Sequence, residues 1–351
     1  MIRSPAASGG LRVLAVTNMY PTSQRPTYGG FIETQMNAVA AAGAHVQVDF
    51  INGRRSDREY LKAILRIRRK AQSGAFDVVH AHYGLCGFVC AFQPLPLVVS
   101  FWGDDLLGTP SAAGGITIKS QIILSISSIA AHRAEAINCE SEEMRSRLRR
   151  SRDRAKAHVI PNGVDTRRFH PGDRASSRSR LRLSVDERLI IFPNAPGERR
   201  KRLDLAQAAT QLLAARGLTC RLWVVQGVPP VEMPDYYRAA DCLLLTSDWE
   251  GSANVVKEAI CCDLPVVSVD AGDARRWTDL TPGCHLVDRN PDAIARGLVA
   301  AVGDRHRVDG TRVREELDIP RTAQSILGLY AEAVTRRQEA RRDDTTPRSR
   351  A

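Results

Sequence analysis

The segment Leu243 to Ala259 places two carboxylates, Glu250 and Glu258, on either side of Gly251-Ser252-Ala253-Asn254. The apolar run Leu243-Leu244-Leu245 reads as a buried strand that ends in a polar loop holding Glu250. A helix is expected to begin near Ser252 to Asn254, with Glu258 in its second turn. At about 1.5 Å of rise per residue, Glu258 then stands roughly 6–9 Å beyond the helix mouth. Free N–H groups and the positive end of such a helix attract phosphate, and carboxylates accept hydrogen bonds from hydroxyls. The pattern implies a diphosphate held between two hydroxyl-rich groups, the outline of a nucleotide sugar. Acidic residues balancing a helix dipole would account for Glu250 by itself, but not for the glycine and amides between.

A second candidate is Arg199-Arg200-Lys201-Arg202, which follows the strand ending at Phe192 and runs into an amphipathic segment. Four consecutive cations at a helix N-terminus oppose its dipole, an unfavourable arrangement unless an anion sits among them. Lysine offers a diphosphate a point charge and arginine a bidentate fork; a solvated basic turn is the alternative. A third candidate is Tyr28-Gly29-Gly30-Phe31. Paired glycines opening a helix let the backbone approach a ligand, although a tight turn explains them equally. The three-glycine dinucleotide fingerprint is absent, which argues against a nicotinamide enzyme.

A length of 351 residues with 43% hydrophobic and 25% charged side chains describes a folded chain with room for two domains. Apolar strands alternate with longer amphipathic segments throughout, which predicts parallel sheets flanked by helices. Strands are expected at 11–17, 45–51, 77–79, 97–101, 136–138 and 157–160, with helices at 30–42, 57–72, 117–132 and 141–150. Pro161-Asn162-Gly163-Val164-Asp165 marks a boundary, after which strands at 189–192, 220–225, 241–245, 265–269 and 285–287 alternate with helices at 202–216, 254–262 and 291–302. The expected layout is a flexible segment 1–10, an acceptor-side Rossmann-like domain 11–165, a nucleotide-sugar-binding Rossmann-like domain 166–319, a helix 320–338 and a flexible tail 339–351.

No stretch has the roughly 20 apolar residues of a membrane span, and the first apolar run is too short for a signal peptide, so the expected location is the cytoplasm. The eight cysteines are scattered and read as reduced core thiols; His80, His82, Cys86 and Cys90 match no standard zinc spacing. Fifty Lys and Arg against 39 Asp and Glu give a net charge of +11 and a preference for anionic partners. Aromatics at 5% and the lack of a recognised module argue against nucleic acid. The segment Tyr60 to Lys70 combines an apolar stripe with five cations, which suits either an anionic lipid surface or an ordinary surface helix.

The Glu250, Glu258 spacing followed by Ala259-Ile260-Cys261-Cys262-Asp263-Leu264-Pro265-Val266-Val267 resembles glycosyltransferase family 4. Phe76 to Gly84, Ile160 to Asp165, Ala240 to Leu245 and Gly29-Gly30 sit in family order, and the likeness runs from about residue 11 to 335. Phe192-Pro193 with Lys201, the Thr246 to Glu258 block and Val267 to Asp273 look closest to the branch typified by a teichuronic acid biosynthesis glycosyltransferase.

That resemblance implies a retaining, metal-independent GT-B enzyme: two Rossmann-like doubly wound domains facing across a cleft, a C-terminal helix crossing back to the first, and no cofactor beyond the nucleotide-sugar co-substrate. It implies catalytic roles for Glu250, Lys201 and Asp104. The donor would be held by Gly29, Gly30, Arg199, Arg200, Lys201, Glu250, Gly251, Ser252, Asn254, Val255, Val256 and Glu258, with Glu258 on the ribose and Glu250 on the transferred sugar. His82, Trp102 and Asp104 would face the acceptor, a glycan or lipid-linked molecule, and no metal site is implied. Two departures stand out. Trp102 occupies the place of a histidine found in many members, and Ala195-Pro196 occupy the stretch where a diphosphate arginine often lies, which Arg199 or Arg200 could replace. Asp104 could instead cap the following helix. A nucleotide-sugar epimerase and a glycosyltransferase-like scaffold without activity remain alternatives on the same fold.

Overall fold

The computed structural model describes residues 10–109, 115–194, 197–303 and 305–345. The expected N-terminal segment, apart from Gly10, the Ala195-Pro196 departure and everything after residue 345 lie outside the described residues. The chain divides into two compact units, Met1–Pro161 with Pro320–Ala351, and Asn162–Ile319.

The first unit contains β1 (Arg12–Thr17), α1 (Gly30–Ala41), β2 (His45–Phe50), α2 (Arg58–Gln72), β3 (Val78–His82), α3 (Gly84–Cys90), β4 (Leu97–Phe101) and α4 (Asp104–Leu107). It continues with α5 (Ile118–Arg133), β5 (Ala136–Cys139), α6 (Glu142–Ser146), α7 (Ser151–Ala155) and β6 (Ala157–Val159). The strands form one parallel sheet in the order β2-β1-β3-β4-β5-β6. Side chains alternate between its faces. Leu14, Val16, Val79, Ala81, Val99 and Phe101 pack under α2, α3 and α5, while Val13, Ala15, Val78, Val98 and Ala136 pack under α1 and the C-terminal helix. Both faces are covered, which is why the strands are apolar along nearly their whole length.

The second unit contains α8 (Arg174–Arg180), β7 (Leu189–Pro193), α9 (Leu203–Ala215), β8 (Arg221–Val225), α10 (Met233–Ala239), β9 (Cys242–Leu245), α11 (Asn254–Cys261) and β10 (Val266–Val269). After these come α12 (Ala274–Asp279), β11 (His285–Val287), α13 (Pro291–Val302) and α14 (Thr311–Leu317). Its parallel sheet has the order β11-β10-β9-β7-β8 around a single core. In both sheets the first strand lies beside the third, with the second strand on its other side. Ligands of such sheets bind at the carboxyl ends where that order reverses, here between β1 and β3 and between β7 and β9.

The C-terminal helix, α15 (Ile319–Thr345), returns to the first unit, where Ala323, Ile326, Leu329, Tyr330, Ala333 and Val334 complete the α1 face. It extends past residue 339, where the sequence suggested a tail. Other differences are local. The expected strand 77–79 continues to His82, because His80 and His82 are interior despite their polarity. The expected helix 141–150 is two short helices, α6 and α7. Helices α3, α4, α8, α10, α12 and α14 had no strong periodic signal because none exceeds seven residues. The cysteines are all unpaired, with Cys220 and Cys284 half-buried and the others buried.

Candidate functional site

The strand order of the second unit brings the two leading sequence candidates together. Because β8 pairs on the outer side of β7, the loop after β7 lies beside the loop after β9. Lys201 Nζ donates to Glu250 Oε1 at 2.6 Å, and Arg200 Nη1 donates to Glu250 Oε2 at 2.7 Å. Ser247 Oγ donates to the same Oε1 at 2.7 Å, and the Arg200 guanidinium lies over the Trp249 ring. Glu250 is only 7% exposed. Burial pulls its carboxyl upward, but Lys201, Arg200 and Ser247 outweigh this and hold it below the ordinary value. Glu250 is therefore an anion already clamped by cations.

This corrects the expected geometry of the basic run. Arg199–Lys201 form a short 3-10 turn ahead of α9, and the helix proper starts at Leu203 with Asp204 in its first turn. The cations meet protein carboxylates: Arg200 pairs with Glu198 as well as Glu250, and Arg202 with Asp204 and Asp248. Arg199 is exposed. The electrostatic conflict read from sequence is thus answered from within the chain.

The helix entrance at Ala253 is held by Asp273, which accepts from Ala253 N at 2.8 Å, Ser252 Oγ at 2.8 Å and Trp277 Nε1 at 2.7 Å. Of the amides expected to face a phosphate, those of Asn254 and Val256 donate to Ser252 O and Ala253 O. Gly251 is buried, and Ser252, Asn254 and Val255 are half-buried. Glu258 is half-buried, with Oε2 accepting from the buried Tyr237 hydroxyl at 2.8 Å. Burial pushes its carboxyl up to about 7.

Three contributors escaped the sequence reading. Lys257 is fully buried, donating to Asn162 O at 2.9 Å and Ser252 Oγ at 2.7 Å. Its place between Glu258 and Val256 looks like an ordinary helix surface position, so nothing in the sequence signals burial. Arg289 binds the carbonyls of Ser247 and Asp248, fastening the β9 loop from a distant part of the chain. Gly272 has φ +62°, and a Cβ there would come within 2.9 Å of Glu250 O. Only glycine lets the loop after β10 sit so close to the site.

In the first unit, Gly29 is left-handed and caps α1, and a Cβ on it would meet Met19 O at 2.4 Å. That contact and the positive φ by themselves require glycine here. The Gly30 amide donates to Thr27 O at 3.3 Å. His82, expected on the acceptor side, ends β3 fully buried. Its ring lies 4.0 Å from His80 and 5.8 Å from Trp102 between centroids, and both of its nitrogens lack a hydrogen-bond partner. Trp102 is half-buried and tilts against Phe31 at 4.6 Å. His80 hydrogen-bonds Tyr330 Oη and Ser100 Oγ, each at 2.8 Å. Burial lowers both imidazoles, His80 to about 3, so the pair is neutral.

Asp104 is half-buried at the start of α4 and accepts from the Tyr83 hydroxyl at 3.3 Å. Asp104 does not cap the helix, whose N-cap is Gly103 without a side-chain cap; its neighbour Asp105 accepts from the amides of Trp102, Gly103 and Gly84. Those bonds tie the loops after β3 and β4 together beside Tyr83, a non-glycine residue at φ 84°. Among the described residues, no group of three or more His, Cys, Asp or Glu side chains is arranged to hold a metal ion, and no helix is long and apolar enough to cross a membrane.

Comparison with known proteins agrees with this architecture. Residues 7–168 match the model for Glycosyltransferase Family 4, and residues 177–304 match the one for Glycosyl transferases group 1. The chain is a glycosyltransferase of the GT-B type. It is 27% identical over 336 residues to a D-inositol 3-phosphate glycosyltransferase of Xylanimonas cellulosilytica, covering 79% of this chain and 77% of the relative. Among solved structures, sucrose-phosphate synthase from Thermosynechococcus elongatus superposes with a TM-score of 0.67 at 16% identity, over 94% of this chain and 98% of that one. Anabaena Alr3699/HepE in complex with UDP gives 0.61 at 17% identity, over 95% and 99%. At those identities the structural likeness speaks for the fold.

Proposed function

We propose that this chain transfers a hexose, with retention of configuration and without a required metal, from a UDP-sugar to a lipid-linked or cell-surface polysaccharide acceptor at the cytoplasmic face of a membrane. The observation that carries the reading is the Glu250 clamp, where Lys201 and Arg200 converge on one buried carboxylate at the reversal of strand order. An arriving diphosphate competes for the same two cations. As it takes Lys201 and Arg200, it frees Glu250 to accept hydrogen bonds from the sugar hydroxyls, while Glu258 receives the ribose. Negative charge grows on the diphosphate as the glycosidic bond breaks, so cations already fixed in place stabilise the transition state more than the ground state.

UDP is chosen because a structural neighbour was solved with it. The polysaccharide acceptor follows from the teichuronic-type motifs at Thr246–Glu258 and Val267–Asp273. The names of the relatives favour a second acceptor, an inositol phosphate. Thermal shift with UDP-, GDP- and ADP-sugars, followed by incubation with labelled donor and each acceptor, tests the reading. A shift with a UDP-sugar and glycan labelling support it; labelling of inositol phosphate selects the second acceptor. Isomerised donor would replace it with an epimerase, and binding without turnover with a scaffold.

A further inference from the structure

The first unit exposes aliphatic side chains in a pattern its core does not require. On α2, Leu61 and Leu65 are 68% and 60% exposed; on α5, Ile118, Ile122 and Ile129 are 78%, 56% and 46% exposed. Each set forms one stripe, with the pairs Leu61/Leu65 and Ile118/Ile122 four residues apart and Ile129 seven further on. Helix α3 packs against both α2 and α5 on the same side of the sheet, and the exposed Phe92 follows it. The exposed leucines and isoleucines therefore belong to a single helical layer. In the second unit the exposed large hydrophobics are the valines 185, 231 and 299.

Charge separates this layer from an ordinary protein contact. Arg58, Lys62 and Arg69 share the α2 stripe with the leucines, Arg68 is exposed beside them, and Lys119 is exposed on α5. Arg66 and Lys70 are turned inward, where both bind the buried Asp49. Glu59 is the sole carboxylate in α2, α3 and α5, and it pairs with Lys62. Aliphatic side chains among cations that outnumber the acids Asp57 and Glu59 suit an anionic bilayer: the apolar tips enter the headgroup boundary and the cations meet lipid phosphates.

We propose that the outer face of α2, α3 and α5 docks this protein onto an anionic lipid surface. This rests on the reading of a membrane-held acceptor and deepens it by naming the surface that reaches it. The isoleucine stripe of α5, which carried no signal in the sequence, adds a second apolar row beside that of α2.

The test is flotation of the full chain with vesicles of phosphatidylcholine and phosphatidylglycerol, and of phosphatidylcholine alone, at low and high salt. Binding to the anionic vesicles only, weakening with salt, is the expected result. Arg68→Glu with Arg69→Glu should weaken it by about thirtyfold or more, since each surface cation contributes on the order of fivefold. Leu61→Asp with Leu65→Asp, and Ile118→Asp with Ile122→Asp, should each abolish flotation while the thermal midpoint stays unchanged, because these side chains are outside the core. Absence of binding to anionic vesicles at low salt overturns the proposal, as does binding that none of the variants alters. A dimer in sedimentation equilibrium that the aspartate variants dissolve would also overturn it, giving the face to a second copy. UDP-sugar thermal shifts on the same preparations keep the two ideas apart. A donor response without flotation removes the docking surface alone, whereas flotation without a donor response supports the surface and removes the donor reading.

Discussion

Where strand order reverses in the second unit, Lys201, Arg200, Ser247 and Glu250 form a charged clamp on half-buried loops. The corresponding place in the first unit holds His82, Trp102 and Phe31, a neutral aromatic stack in which His82 is fully enclosed. The same topology has thus been given opposite chemistry. A charged clamp stores electrostatic energy that an anionic ligand can redirect. A neutral stack has no charge to exchange and selects by shape and hydrogen bonding. On the proposed function, the difference gives the diphosphate to the second unit, and leaves the first for a partner whose recognition does not depend on paired charge.

The largest expected effect comes from breaking the clamp. Lys201→Ala should lower kcat by roughly 10²–10³, about 2.7–4 kcal/mol in activation free energy, with circular dichroism unchanged. Near-normal turnover would remove Lys201 from the mechanism. Next is the buried ammonium that supports the helix entrance. Lys257→Met leaves Asn162 O and the Ser252–Asp273 pair without their donor, so about 1–3 kcal/mol of stability should be lost, together with donor affinity. A melting curve and a donor titration read the two losses, and loss of stability without loss of affinity would confine Lys257 to folding.

The neutral side of the comparison predicts a smaller and different response. Tyr330→Phe removes the hydroxyl bound to His80, costing about 0.5–1.5 kcal/mol in stability while donor affinity stays constant. A fall in donor affinity would contradict the division of labour between the units. The pH dependence of Glu258 gives a separate, graded test of the charged side. Its carboxyl is raised by burial to about 7 in the folded protein and returns to an ordinary value when unfolded, so the folded state holds the extra proton between about 4.5 and 7. This group's contribution to stability falls as pH rises through that window. Donor affinity should rise over the same range as the carboxylate becomes a better acceptor for ribose hydroxyls. Glu258→Gln should flatten both slopes, and slopes that persist in the variant would place their origin elsewhere.

Legibility followed physical range. The strands Leu97–Phe101 and His285–Val287 and the helix Pro291–Val302 were readable to the residue, because their apolar periodicity and their boundaries at prolines and polar turns are local signals. Asp105 shows where local reasoning stops. A sequence reader weighing Asp104 against the helix that follows cannot know that the next residue collects amides from two separate loops. His82 is a related case: the sequence placed it at a strand end on the acceptor side, but only tertiary packing shows that it is fully enclosed.

From the order of its residues alone, this chain specified alternating strands and helices, a break near residue 161, a basic turn at 199–202 and an acidic helix entrance at 250–258, since each depends on neighbours within a few turns of backbone. Three-dimensional folding alone decided that Lys201 and Arg200 meet Glu250, that Lys257 is buried, and that leucines of α2 and isoleucines of α5 share one face. Those contacts join residues separated by up to tens of positions in the chain, and only the lateral order of strands and the stacking of helices on a sheet determine which of them meet.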